Sequence, residues 1–293
     1  MSRLVYFGSP ELAVPPLRAL LDAGHEIALV VSKPDARRGR GGSTTPSPVK
    51  AAARDAGIPT TEDPEEALHV GAEFGVVVAY GRLLSPQLVA GLPMVNLHFS
   101  LLPRWRGAAP VERAILEGDH ETGVCLMAIE EGLDTGGVYR TSAVTIRHKT
   151  LEELQRELVD LGCAQLREAL ADGLTSLGPA APQVGEATYA KKVKPTEYEL
   201  DLSKPASELL RTIRLGRAWV HDGTKRLRIL SATLQPGGLA PGQVEGNFVG
   251  TGADVLELGE VQPEGRGRMD AASWSRGRRS NRPLGASLEQ DSL

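Results

Sequence analysis

Leu4-Val5-Tyr6-Phe7-Gly8-Ser9-Pro10-Glu11-Leu12-Ala13-Val14-Pro15-Pro16-Leu17-Arg18-Ala19-Leu20-Leu21-Asp22-Ala23-Gly24-His25-Glu26-Ile27-Ala28-Leu29-Val30-Val31 opens the chain. Leu4–Phe7 is a short continuous apolar run, the pattern of a strand covered on both faces, and Gly8-Ser9-Pro10 is the turn that ends it. From Leu12 to Ala23 the residues Leu17, Leu20 and Leu21 recur at helical spacing, and Gly24 stops the helix. Ile27–Val31 is a second buried strand. Further on, Val49–Ala56 reads as a helix ending at Gly57, and Val76–Tyr80 as a third strong strand. Short apolar strands alternating with helices imply βαβ units, hence an α/β, doubly wound domain with a parallel sheet.

Beyond this core, Leu151, Leu154, Leu158, Leu161 and Leu166 form the apolar stripe of a long helix expected over Thr150–Leu174. Periodicity is lost from Leu177 to Leu200, where Gly178-Pro179-Ala180-Ala181-Pro182 begins a stretch carrying Lys191, Lys192 and Lys194. This reads as a linker. A short helix is expected over Ala206–Leu215. After it the apolar runs Leu227–Leu230, Val244–Val249 and Val255–Val261, divided by Gly- and Pro-rich turns, carry the pattern of a small β-barrel. The expected division is 1–177, a linker over 178–199, and 200–293, with a tail after about residue 282 that lacks order.

With 293 residues, 41% hydrophobic and 24% charged, the chain is neither disordered nor fibrous and is long enough for two cores. Its net charge of −4 argues mildly against a general polyanion binder. The average hides a division: from Lys204 onward 13 Lys+Arg face 10 Asp+Glu, a surplus of +3, which leaves −7 for residues 1–203. Two bodies with different partners are expected. Cys125 and Cys163, too few for a disulfide framework and in no metal-ligand spacing, read as buried thiols of a reducing compartment. No signal peptide precedes Gly8, and no apolar run approaches the roughly 20 residues that span a bilayer. A soluble, cytoplasmic protein without a membrane partner is expected.

The stretch richest in chemistry is Val95-Asn96-Leu97-His98-Phe99-Ser100-Leu101-Leu102-Pro103-Arg104-Trp105-Arg106-Gly107-Ala108-Ala109-Pro110. On a strand Asn96, His98 and Ser100 face one way, at the carboxyl end where open α/β sheets bind ligands. Glu130-Glu131-Gly132-Leu133-Asp134-Thr135-Gly136-Gly137 adds a carboxylate in a tight loop. Amide, imidazole and carboxylate together can polarise a carbonyl, move a proton and orient a water. Ser100 is a poor nucleophile, being two residues from His98 without a G-x-S-x-G elbow. One His and one Asp so far apart match no metal spacing, so no metal is expected. The turn after Leu4–Phe7 lacks G-x-G-x-x-G, which sets dinucleotide binding aside.

Asn96-x-His98-x-Ser100-Leu101-Leu102-Pro103 with Gly107 and Pro110, followed by Leu133-Asp134-Thr135-Gly136, resembles the signature of the 10-formyltetrahydrofolate-dependent formyltransferase family. Leu102–Pro110, Lys33-Pro34-Asp35 with Gly39-Arg40-Gly41 and Pro46-Ser47-Pro48-Val49-Lys50, Val77–Gly81, and Val261–Gly265 with Met269 are similar to the branch that acts on methionyl-tRNA. The resemblance runs from about residue 3 to about residue 280. It implies a Rossmann-like N-terminal domain and an OB-type C-terminal barrel that touches tRNA. It also implies transfer of formyl from 10-formyltetrahydrofolate, as co-substrate, to the α-amine of methionyl-initiator tRNA, by a monomer without a metal. By the same resemblance Asn96, His98 and Asp134 are catalytic, and Ser100, Leu101, Leu102, Pro103, Tyr80, Gly81, Arg82 and Leu83 bind the folate. Lys33, Arg37, Arg38, Arg40 and Lys50 would meet the tRNA from an inserted loop. Phe99, where relatives often have glycine, and Trp219-Val220-His221-Asp222, in place of a Pro-Trp-Pro pattern, depart from the family. Two alternatives stand beside this reading: a formyltransferase for an amino sugar or glycinamide ribonucleotide, which would not need the basic loop, and a non-catalytic RNA-binding module.

Overall fold

In the computed structural model, which describes residues 1–37, 44–278 and 282–285, Leu4, Val5, Tyr6 and Phe7 are wholly shielded from solvent. They lie in β1 (Arg3–Gly8), an inner strand of a seven-stranded sheet. Its other members are β2 (Glu26–Val31), β3 (Thr60–Thr61), β4 (Phe74–Val78), β5 (Met94–His98), β6 (Glu121–Ala128) and β7 (Val138–Thr145). The order is β7-β6-β5-β4-β1-β2-β3. The first five strands pair in parallel, while β6 runs antiparallel to β5 and β7 to β6. The expected parallel sheet is therefore extended by an antiparallel hairpin. Thr122 and Gly123 interrupt the apolar run of β6, and β7 is mostly solvated along its length, so neither strand carries the signature of a fully buried one.

Strand order reverses between β1 and β4, which sit side by side in register from Leu4↔Phe74 to Gly8↔Val78. Such a reversal opens a crevice beyond the carboxyl ends of the strands, because the connections on either side leave toward opposite faces. Here the crevice is bordered by Ser9, by Ala79 and Tyr80, and by the chain leaving His98. Val5, Phe7, Leu29, Val31, Val77, Tyr80 and Met94 pack one core below it. On the opposite side the helix Leu151–Ala169 comes close enough that a Cβ on Gly162 would lie 3.1 Å from Leu97 Cδ1. That helix begins with a Thr150–Glu153 capping pair and stops at Ala169, short of the expected Leu174, because Gly173 turns left-handed (φ 80°) into a short 3₁₀ segment.

The chain divides into two compact units: 1–111, 121–145 and 154–191 form the first, and 112–120, 146–153 and 192–293 the second. The stretch 178–191 is thus packed within the first unit. In the second, the helix Ala206–Arg214 accompanies two four-stranded antiparallel sheets. One pairs Trp219–Asp222, Lys225–Ile229, Glu260–Pro263 and Met269–Asp270; the other pairs Ala232–Gln235, Val255–Leu258, Phe248–Gly250 and Val244–Glu245. Two expected strands prove to be divided. Gly246 (φ 61°) turns the chain between Glu245 and Phe248 into a hairpin, and at Gly259 the chain passes from one sheet to the other, where a Cβ would meet Ser231 Oγ at 2.6 Å. Among the described residues the two sheets do not join into a closed barrel. Val220, Leu227, Ile229, Val249, Leu256, Leu258, Val261 and Trp274 fill the core of this unit, and Leu284 closes it. No helix of the described residues is long and apolar enough to cross a membrane.

Two expectations test these cores. Phe74→Ala removes a ring with no exposure and should lower stability by about 3–5 kcal/mol in urea titration. Burial pushes the thiol of Cys163 up to about 11 and that of Cys125 above its ordinary value, so neither forms the reactive thiolate at pH 8. Iodoacetamide should leave both unmodified in the native protein and label both in urea, as mass spectrometry would show; rapid native labelling would contradict the burial.

Candidate active site

The chain leaving β5 must turn at once, because the sheet ends at His98. Ser100, fully buried, donates its hydroxyl to the Arg104 carbonyl at 2.6 Å and closes that turn. Trp105 takes a left-handed conformation (φ 64°), uncommon for a bulky residue, and its carbonyl meets His98 Nε2 at 2.8 Å. A carbonyl only accepts, so the hydrogen sits on Nε2 and Nδ1 is left to gain or lose a proton. Nδ1 lies 3.6 Å from Asp134 Oδ2. That distance exceeds a direct hydrogen bond but keeps imidazole and carboxylate in one site.

Asp134 reaches His98 because the connection from β6 to β7 folds back on itself. Asp134 is left-handed (φ 51°), and its Oδ2 accepts the Gly107 N–H at 2.7 Å. Close backbone approach holds the turn: a Cβ on Gly136 would stand 2.0 Å from the Ala128 carbonyl oxygen. Asn96, two residues before His98, shares its face of β5. It is 9% exposed, and no described residue hydrogen-bonds its side chain. A buried amide, an imidazole with one uncommitted nitrogen and a carboxylate therefore converge, a set suited to polarising a carbonyl and moving a proton. Cys125 stands opposite His98 in register, but burial holds its thiol protonated, which makes it a poor nucleophile.

The other singled-out residues are placed as follows. Ser100 serves the turn, while Leu101, Leu102 and Pro103 are half-buried. Tyr80 is buried edge-on against Phe7, Arg82 donates to the Glu62 carbonyl at 3.2 Å, and Leu83 is 82% exposed. Gly81 (φ 67°) faces Lys33, whose ammonium a Cβ there would meet at 2.5 Å. Lys50 is 5% exposed, its ammonium 2.8 Å from Asp35 and 2.7 Å from Glu62. Lys50 is thus taken up inside the protein, a correction to its place among surface cations, because two carboxylates compensate its burial. Arg38 and Arg40, with the side chain of Arg37, lie outside the described residues.

Two residues that sequence reasoning passed over also touch this site. Gln183 donates its amide to the carbonyls of Asp134 and Gly136, both at 2.8 Å, and accepts from the Arg106 guanidinium. Thr188 Oγ1 accepts the Trp105 N–H at 2.9 Å. Both sit in the segment without periodicity, where no local pattern distinguishes a contact from a spacer.

Both parts of the chain are similar to known proteins. Residues 2–170 match the model of the formyl transferase family, and residues 192–279 that of the formyl transferase C-terminal domain. A methionyl-tRNA formyltransferase of Symbiobacterium thermophilum is 41% identical over 94% of this chain and 93% of its own. Among solved structures, an N-formyltransferase from Helicobacter canadensis, in complex with folinic acid and dTDP-3-aminofucose, superposes with a TM-score of 0.66 at 17% identity, covering 88% of this chain and 99% of that one. A methionyl-tRNA formyltransferase from Clostridium thermocellum does so with a TM-score of 0.57 at 16% identity, covering 88% and 100%. With both of its parts matched and a relative above 40% identity along nearly its whole length, the chain belongs to the formyl transferase family.

Proposed function

We propose that this protein transfers the formyl group of 10-formyltetrahydrofolate to the α-amine of methionyl-initiator tRNA, as a monomer. The observation that carries the reading is the convergence of Asn96, His98 and Asp134, joined to the similarity to methionyl-tRNA formyltransferase along both parts of the chain. The neutral α-amine, with an ordinary pKa of about 7.7–8.0, is accessible near neutral pH and needs no strong base. Its nitrogen attacks the formyl carbon directly, and the carbonyl oxygen becomes an oxyanion. The Asn96 amide and a proton on His98 Nδ1 would both donate to it. Asp134 would offset the positive charge of the imidazolium and, through a water, help carry the amine proton to N10 of the departing folate. No covalent intermediate on the protein is required.

The folate would enter the crevice where strand order reverses. Tyr80–Leu83 and Ser100–Pro103 leave the carboxyl ends of neighbouring strands, β4 and β5. The exposed Leu83 and the half-buried Leu101, Leu102 and Pro103 offer apolar surface to a flat ring system. Arg37, Arg38 and Arg40 would meet tRNA phosphates from the segment before the helix Pro48–Asp55. The second unit would contribute an OB-type surface to tRNA binding.

Labelled 10-formyltetrahydrofolate offered with methionyl-tRNA, a free amino sugar or glycinamide ribonucleotide decides among the alternatives. Label should pass to methionyl-tRNA; label on the sugar or ribonucleotide alone would overturn the reading. Asp134→Asn keeps an acceptor for the Gly107 N–H and removes the charge. It should abolish single-turnover transfer while leaving tRNA affinity intact. Asn96→Ala should cost roughly 100- to 1,000-fold in kcat, the usual effect of losing one oxyanion donor.

A further inference from the structure

The segment after the helix Leu151–Ala169 lines the site. Ala181 exchanges backbone hydrogen bonds with Val138 at 2.8 and 2.9 Å, and Tyr189–Ala190 forms a parallel ladder with Arg106–Gly107. Between these two attachments lie Gln183 and Thr188, each bonded to a residue that supports one half of the His98–Asp134 pair.

Gln183 uses its whole side chain. Its nitrogen gives two hydrogens to the carbonyls of Asp134 and Gly136, both at 2.8 Å. Its oxygen accepts from Arg106 Nε at 3.1 Å and Nη2 at 2.7 Å. The reverse amide orientation would set an NH₂ against a guanidinium and an oxygen against two carbonyls, so only this one is chemically consistent. The two anchored carbonyls, of Asp134 itself and of Gly136, fix the turn on the C-terminal side of Asp134, whose left-handed backbone persists only where its surroundings hold it. Thr188 acts at the other end. Its hydroxyl oxygen accepts the Trp105 N–H at 2.9 Å, and the Trp105 carbonyl takes the Nε2 hydrogen of His98. Trp105 is also left-handed, so the aim of its carbonyl depends on the anchor.

We propose that Gln183 and Thr188 are positioning residues for formyl transfer, Gln183 aiming the Asp134 carboxylate and Thr188 fixing, through Trp105, which nitrogen of His98 carries the permanent hydrogen. The proposal rests on the reading of His98 and Asp134 as the catalytic pair. The segment that joins the two parts of the chain thereby completes the site's geometry.

A merely structural role is separable from this one. Gln183→Glu still accepts from Arg106 but cannot donate to either carbonyl; Gln183→Asn, one methylene shorter, provides a second variant should the first fail to fold. Thr188→Val removes the acceptor at nearly constant shape, and Thr188→Ser restores it. In the full-length protein, assayed with methionyl-tRNA and 10-formyltetrahydrofolate, Gln183→Glu should lower kcat by about 10- to 100-fold, the scale expected of a slightly misplaced catalytic group, with both KM values unchanged. Thr188→Val should lower kcat and displace the pH profile, and Thr188→Ser should return both to the parental values. Parental kcat in Gln183→Glu and Thr188→Val, or a rise confined to KM, would overturn the proposal. Asp134→Asn, run in parallel, separates the two levels. If it abolishes turnover while the positioning variants keep the parental kcat, only the positioning roles fail. If it does not, the catalytic reading falls, and the proposal with it.

Discussion

The hydrogen bond from His98 Nε2 to the carbonyl of Trp105 is the constraint from which the site follows. It commits one nitrogen to the backbone and leaves the other facing Asp134. To present that carbonyl, the chain must reverse within a few residues of the end of β5. Ser100 gives up its hydroxyl to the turn, and Trp105 adopts a conformation that a side chain of its size ordinarily avoids. The reversal then carries Gly107 to where its N–H meets Asp134 Oδ2. Gly107 itself has φ 115°, and a Cβ there would lie 3.1 Å from the Ala190 carbonyl oxygen. Catalytic geometry and backbone geometry are therefore one problem: a displaced turn would move the imidazole, the carboxylate and the segment that supports both.

What could be read from the sequence depended on whether a residue's role is local. Leu4–Phe7, Ile27–Val31 and the run ending at Tyr80 announce themselves because a strand covered on both faces must be continuously apolar. The observed β1, β2 and β4 match these runs to within a few residues. Asn96 and His98 are legible for the same reason, since alternation along a strand places both on one face. The hairpin of β6 and β7 is not, because its edge strand is solvated and its partner is broken by small and polar residues. Gln183 and Thr188 are the extreme case. Their bonds reach back to residues far earlier in the chain, within a stretch that looks like a spacer because it has neither helical nor strand period. Ser100 shows the converse error. Alternation places it beside His98, but the strand ends first and its hydroxyl closes the turn.

Charge needs the same distinction between presence and role. A cation paired with a carboxylate contributes little field at a distance, whereas one bonded to a neutral carbonyl keeps its full charge. Lys50 belongs to the first kind: burial alone would pull its pKa down, yet its bonds to Asp35 and Glu62 outweigh that and hold the ammonium protonated. Arg113, bound to Glu197, and Arg278, bound to Asp222, are likewise compensated. Arg211 and Arg228 belong to the second kind, their guanidinium groups resting on the carbonyls of Glu117 and Gly216. Both lie in the stretch from Lys204 onward, whose balance is +3. The second unit as a whole carries 18 Lys+Arg against 18 Asp+Glu, because 112–120, 146–153 and 192–203 add 5 of the former and 8 of the latter, so the surplus is local to the stretch from Lys204 onward. A polyanion senses the local potential of such a stretch, and not the chain's total of −4, because charges more than about 8–10 Å away through salt solution are screened.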